Sequence, residues 1–73
     1  MPRTDFDREL NNLMDELLSL GSMVQKAVLA SLHALKTRDL TISKQVIRDD
    51  DEIDNKAVAI EETCIDLMAT QQP

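Results

Sequence analysis

The stretch "FDRELNNLMDELLSLGSMVQKAVLASLHAL", residues 6–35, decides the fold of this 73-residue chain. Within it, one series of nine residues is spaced at alternating steps of four and three, and every member except the serine is apolar. The series is Phe6, Leu10, Leu13, Leu17, Leu20, Val24, Ala27, Ser31 and Ala34. Met14, Gly21, Val28 and Leu35 form a second row beside this series, and we expect a close helix crossing at Gly21. A stripe of this width is typical of a helix that packs against two neighbours. We therefore predict a helix over about residues 5–36.

The second half of the chain repeats the same spacing. Its series runs through Ser43, Val46, Asp50, Ile53, Ala57, Ile60, Cys64, Leu67 and Gln71. This series predicts a second helix over about residues 40–71, which Pro73 would end because its ring cannot continue the helix. Residues 37–39 form the joint, in which Asp39 is a good N-cap, and a joint this short reverses the chain direction. The sequence predicts an all-α fold in which residues 1–73 form a single antiparallel two-helix hairpin.

A hairpin of this size needs further support. One core in so short a chain rarely supplies more than about 3–5 kcal/mol, and the single cysteine excludes an internal disulfide. Two wide apolar stripes also cannot cover each other completely, so they leave an association surface. We expect the chain to be a homo-oligomer, most simply a symmetric dimer of hairpins that forms a four-helix bundle.

The charge balance narrows the classes of partner. The formal net charge is −6, which disfavours binding to nucleic acid and to anionic lipid. The chain contains no apolar run of the roughly 20 residues that span a bilayer, and its first ten residues lack the apolar stretch of a signal peptide. These features predict a cytoplasmic protein without direct membrane insertion.

An acidic run, "IRDDDEID" at residues 47–54, interrupts the second series. Asp50 occupies a seam position, where a charged residue is unexpected, and Asp54 follows one turn later on the same side. Three interpretations remain open from the pattern. The run is a solvated face, or the helix restarts at Asp49 with Glu52 completing a capping box, or Asp50 and Asp54 are paired carboxylates that bind a metal with ligands from another helix.

Other residues that could carry chemistry are poorly placed for it. His33 falls on the outer face of the first helix without a cysteine or acid at ligand spacing. Cys64 lies on the predicted seam, where a thiol behaves as a small apolar residue, and His33 is too distant to activate it. One glycine cannot form a phosphate-binding loop. We therefore do not expect an enzyme, and a structural or adaptor hairpin without metal remains an alternative to one that binds metal.

Taken in order, several segments resemble the phosphate-uptake regulator family (PhoU). These are the spacing "LxxxLLxxGxxVxxA" in the first helix, the joint "RDL" at residues 38–40, the step "DDxID" at residues 50–54 and the ending "QP". The resemblance covers essentially the whole chain. It implies that the hairpin is the first two helices of a three-helix bundle, within either a longer regulator or a truncated natural relative.

The family resemblance also implies a function and a metal site. Members of the family repress the phosphate-starvation response, and so affect transcription indirectly, by linking the phosphate transporter ATPase to a membrane sensor kinase. Their bundles hold iron, zinc, manganese, magnesium or other metal ions through acidic pairs of the form that Asp50 and Asp54 match. The partner pair would lie on the third helix, so this chain would carry half of a site and bind metal weakly or not at all by itself.

Overall fold

The computed structural model describes the backbone of residues 3–70 and the side chains of residues 5–70. Two helices account for this part of the chain: α1 spans Arg3–Thr37 and α2 spans Leu40–Thr70. They pack against each other as a hairpin with Cα extents of 54 × 15 × 12 Å. The predicted all-α antiparallel hairpin is confirmed. The expected helix positions Gln71 and Pro73 lie outside the described residues.

The joint is short because both helix ends are capped within it. Arg38 adopts a left-handed conformation with φ of 56°, and the backbone N–H of Asp39 donates to the carbonyl of Ala34 at 3.1 Å. This is the Schellman ending of a helix, with Arg38 at the position that glycine usually takes. The Asp39 carboxylate then accepts from the backbone N–H groups of Thr41 (2.9 Å) and Ile42 (3.2 Å). Asp39 is therefore the N-cap of α2, as predicted.

The interface between the helices, which we call the seam, is rotated relative to the prediction. The predicted seam consists of two rows on each helix, and the members of a row are seven residues apart. One row on each helix lies at the interface as expected; its members include Leu13, Leu20, Val46 and Ile60, which are half-buried. The other predicted row is partly replaced by a neighbouring one. On α1 the row of Leu10, Leu17 and Val24 is exposed, and Met23 and Ala30 are half-buried instead. On α2 Asp49 and Lys56 are half-buried where Asp50 and Ala57 were predicted, whereas the predicted Ser43 and Cys64 are half-buried near the two ends of that helix.

The rotation has a physical reason in the width of the α1 stripe. A stripe that serves two neighbours can meet only one of them in a hairpin, and α2 packs along one edge of it. Small residues on that edge, Ala27, Ala30 and Ala34, allow α2 to approach closely near the joint. Among the described residues only Ala34 and Leu67 are buried apolar residues, at 4% and 7% exposure. Most of the apolar surface of α1 remains open.

Gly21 does not mark a close helix crossing, as its place in the α1 stripe had suggested. It is exposed, and a Cβ atom built on it meets nothing within 4 Å. Within residues 3–70, neither helix contains a segment apolar and long enough to cross a membrane.

Candidate functional site

The hairpin has two chemically different sides. Near the joint, one shallow recess is lined by Ser31 and Leu35 of α1 together with Ser43 and Ile47 of α2, so the helical rows of these four residues share one side of the seam. Residues seven positions apart lie in the same row of a helix, so the other members of these four rows lie on the same side of the seam along both helices. We call this the apolar side. Its exposed large side chains are Leu10, Met14, Leu17, Val24, Val28, Leu35, Ile47 and Met68.

The opposite side, which we call the polar side, carries mixed charges. One recess on it is lined by Glu9, Asn12, Glu16 and Thr63, and another by Lys26, Asp49 and Glu52 among apolar neighbours. Lys56 crosses the seam on this side to form an ion pair with Glu16. The polar side therefore pairs part of its own charge. Sequence reasoning missed this interhelical pair, because the row that holds it is the less apolar of the two possible rows.

The acidic run divides around α2 instead of facing one way. Asp49 is half-buried at the seam, and its carboxylate accepts from Nε2 of Gln45 at 2.8 Å. Asp51 and Glu52 are exposed away from the apolar side. Asp50 and Asp54 lie in the rows of Ser43 and Ile47, and therefore on the apolar side. The prediction that Asp50 occupies the seam is wrong, because the seam takes Asp49.

The restart of the helix at Asp49 is also wrong. α2 continues without a break from Leu40 to Thr70, so Asp49 has no N-terminus to cap. Asp50 and Asp54 remain one turn apart on the same side, as the spacing predicted, but both are exposed to solvent. Their exposure fits the solvated interpretation, and their position on the apolar side leaves both carboxylates accessible to a partner.

The described residues do not by themselves make a metal site. Nowhere in that part of the chain do three or more His, Cys, Asp or Glu side chains lie close enough together to hold a metal ion. Asp50 and Asp54 supply at most two carboxylates, whereas hard divalent cations take about six or more oxygen ligands. His33 is exposed, as predicted for the outer face of α1, and Cys64 is half-buried beside the seam as a free thiol.

The helical part of the apolar side carries mostly negative charge. Between residues 7 and 35 of α1 and between residues 40 and 68 of α2, its rows hold Asp7, Asp50, Asp54 and Glu61 and no Lys or Arg, whereas Arg38 lies at the joint. Apolar side chains exposed over this length indicate a surface that another helix covers. Any helix that covers it must tolerate or neutralise four carboxylates.

Comparison with known proteins gives one family match and several relatives. The model of the PhoU domain matches residues 17–73. Relatives include the phosphate-specific transport system accessory protein PhoU homolog of Clostridium acetobutylicum, 38% identical over 73 residues, which cover 100% of this chain and 33% of the relative. The PhoU homolog of Streptococcus pneumoniae serotype 4 is 38% identical over 71 residues (97% and 33%), and PhoU of Escherichia coli K12 is 29% identical over 68 residues (93% and 28%).

The chain thus spans about a third of the length of the curated relatives that it matches. No solved structure matches it.

Proposed function

The chain belongs to the PhoU family, and on that premise we propose that it is part of a non-enzymatic regulator of phosphate uptake that acts in the cytoplasm through protein contacts. The observation that carries this proposal is the family match over residues 17–73, together with relatives that are named accessory proteins of the phosphate-specific transport system. The structure supports a role in contacts, since much of its apolar surface is unpaired on one side of the hairpin.

The partners that we propose are the ATPase of the phosphate transporter and a membrane sensor kinase, through which transcription would respond indirectly. The test is deletion of the encoding gene in its own organism. We expect expression of phosphate-starvation genes in phosphate-rich medium, measured with a reporter fusion, and reversal when the gene is restored. Unchanged reporter expression in the deletion strain would contradict the proposal.

A self-associated state is part of this proposal. We propose that the isolated chain forms a dimer of hairpins, because most large side chains of the apolar side are more than 40% exposed in the single hairpin. Leu17→Asp or Val24→Asp should dissociate and unfold the chain together, because folding and association share that surface. A helical, cooperatively folded monomer at micromolar concentration in sedimentation would contradict it; Gln25→Asp, on the outer face, is the control.

Asp50 and Asp54 are proposed as ligands of a divalent or trivalent metal ion whose remaining ligands come from outside the described residues. Their common side and one-turn separation support this, and their exposure leaves both carboxylates accessible. We expect weak Mn²⁺ or Zn²⁺ binding by this chain in calorimetry and tighter binding by a full-length relative. Asp50→Asn with Asp54→Asn should abolish metal binding by this chain, whereas Asp51→Asn with Glu62→Gln should not.

An adaptor hairpin without metal is the alternative function. The exposure of Asp50 and Asp54 favours it, because a solvated carboxylate needs no ion. Equal metal affinity for the wild type and the doubly substituted chain would support the adaptor and exclude the metal site.

A further inference from the structure

Formal charge is distributed unevenly along the length of the hairpin. Residues 27–48, which include the joint, contain four Lys or Arg against one Asp, a balance of +3. At the opposite end, residues 5–16 and 57–70 contain one Arg against eight Asp or Glu, a balance of −7. Between them, residues 17–26 and 49–56 contain two Lys against five acids, a balance of −3. We call these parts the joint third, the open third and the middle third.

Each third is a block of residues that lie side by side on the two helices. Ser31 of α1 and Ser43 of α2 line one recess in the joint third. Glu9 of α1 and Thr63 of α2 line another in the open third. The hairpin, whose Cα trace is 54 Å long, is therefore a rod with a basic end and an acidic end.

Both ends present their charge to solvent. The single acid of the joint third, Asp39, has its carboxylate engaged by the N–H groups of Thr41 and Ile42. In the open third, every acid except the half-buried Asp5 is exposed, and the one Arg is paired with that residue. The cations of the joint third are all exposed: Lys36, Arg38, Lys44 and Arg48. A neighbouring molecule therefore meets opposite charges at the two ends.

We propose that the two copies in the dimer of hairpins lie antiparallel, so that the joint third of each copy lies beside the open third of the other. The inference rests on the self-association across the apolar side that is proposed above, and it assigns the orientation of the two copies. Both orientations are compatible with a two-fold axis. In the antiparallel dimer this axis crosses the hairpin at mid-length.

The charges at the ends decide between the two orientations. Two copies with a net charge of −6 each repel one another in either orientation. A parallel dimer adds to this repulsion, because it places the two −7 ends together and the two +3 ends together. An antiparallel dimer places opposite charges together at both ends and so reduces the repulsion. The middle thirds lie at the same height in both orientations and do not discriminate between them.

Energy transfer between dyes on two copies measures the orientation. In Cys64→Ser chains, a single cysteine is placed at the joint end by Thr37→Cys or toward the open end by Asn11→Cys, and both positions are exposed. At about 1.5 Å per residue, Thr37 lies roughly 24 Å from mid-length and Asn11 roughly 15 Å from it in the other direction. Along an antiparallel dimer, Thr37 of one copy is therefore roughly 10 Å from the partner's Asn11 and roughly 50 Å from the partner's Thr37.

Two mixtures of labelled chains are compared. We expect more efficient transfer from a donor at Thr37 to an acceptor at Asn11 than from the same donor to an acceptor at Thr37. A parallel dimer would reverse this order. An excess of unlabelled chain should abolish transfer in both mixtures, because the transfer occurs only between copies.

A second experiment tests the electrostatic cause. Lys36→Gln with Lys44→Gln, in the joint third, and Gln25→Glu with Asn55→Glu, in the middle third, both change the formal charge from −6 to −8 at exposed positions. The pairs are matched around the helices, because Gln25 and Lys44 lie in the rows next to the apolar side, and Lys36 and Asn55 lie one row further away.

Sedimentation at about 0.1 M NaCl measures the dissociation constant of each variant, and circular dichroism confirms that each remains helical. We expect the joint-third pair to raise the dissociation constant at least about threefold more than the middle-third pair, because it removes attraction to the partner's open third. In a parallel dimer the joint-third pair would instead strengthen association, because it would relieve repulsion between two joint thirds.

The outcomes separate this inference from the self-association on which it rests. A wild-type chain that sediments as a monomer overturns both. A dimer with more efficient transfer between two Thr37 positions, or with equal transfer in the two mixtures, overturns the antiparallel orientation alone. Equal dissociation constants for the two pairs of substitutions, or tighter association of the joint-third pair, overturn the electrostatic argument and the inference with it.

Discussion

At the scale of single residues, Arg38 shows how the chain turns without a glycine. The C′ position of a Schellman ending requires the left-handed region, and a side chain there costs about 1–2 kcal/mol relative to the right-handed helix. The hydrogen bond from Asp39 to Ala34 and the two bonds to the Asp39 carboxylate offset this cost. The sequence located the joint but not its conformation, because arginine carries no signal for positive φ.

Replacement of Arg38 by glycine should therefore stabilise the hairpin. We expect Arg38→Gly to raise the free energy of unfolding by up to about 1 kcal/mol, less the entropy that glycine adds to the unfolded chain. Urea denaturation followed by circular dichroism measures it. Lys36→Gly, inside the last turn of α1, should lower stability by about the same amount. A destabilised Arg38→Gly chain would mean that the Arg38 side chain makes stabilising contacts.

Gly21 gives a second prediction at this scale, with an outcome that depends on association. A Cβ atom there meets nothing within 4 Å, so Gly21→Ala should stabilise a monomeric hairpin by up to about 1 kcal/mol through helix propensity. If another helix covers the apolar side at this point, the added methyl group meets it and association weakens. Urea melts combined with sedimentation separate the two effects, with Ser22→Ala as the control for propensity alone.

At the scale of the helices, the periodicity predicted the fold but not the rotation of the seam. Residues such as Leu13, Leu20, Val46 and Ile60 were predictable because they belong to both possible rows. Which of Leu17 and Glu16 faces α2 was not predictable, because apolar content alone favours Leu17. The structure places Glu16 toward α2 and leaves Leu17 exposed, since α1 carries more apolar surface than one neighbour can cover. The position of Asp50 was mispredicted for the same reason.

The Glu16–Lys56 pair allows a test of this rotation. The Lys56 side chain is 23% exposed and that of Glu16 is 57% exposed, so screening by solvent keeps the pair weak. A double-mutant cycle with Glu16→Gln and Lys56→Met should give a coupling free energy of about 0.2–1 kcal/mol in urea unfolding. The same cycle on Glu62 and Lys56 should give none. Zero coupling between Glu16 and Lys56 would mean that α2 packs along the other row.

At the scale of the whole molecule, shape and charge bear on the same surface. The Cα trace is only 15 × 12 Å in cross-section, so the hairpin buries few side chains, and most of its exposed large apolar side chains lie on the side whose helical residues carry negative charge. Apolar burial therefore favours covering that side, while electrostatics opposes covering it with an identical copy. A dimer of hairpins across the apolar side brings together Asp7, Asp50, Asp54 and Glu61 from both chains.

Because charge repulsion opposes apolar burial on this side, the direction in which self-association changes with salt can be predicted. Raising NaCl from about 0.1 M to about 1 M shortens the Debye length from about 10 Å to about 3 Å and screens the repulsion between the carboxylates. We therefore expect self-association to strengthen with salt. Sedimentation equilibrium of the chain at both salt concentrations measures the change in dissociation constant. Neutralising the acids with Asp50→Asn, Asp54→Asn and Glu61→Gln should tighten the dimer at low salt and remove most of the salt response. Association that weakens with salt in the wild type would place the dimer interface away from the apolar side.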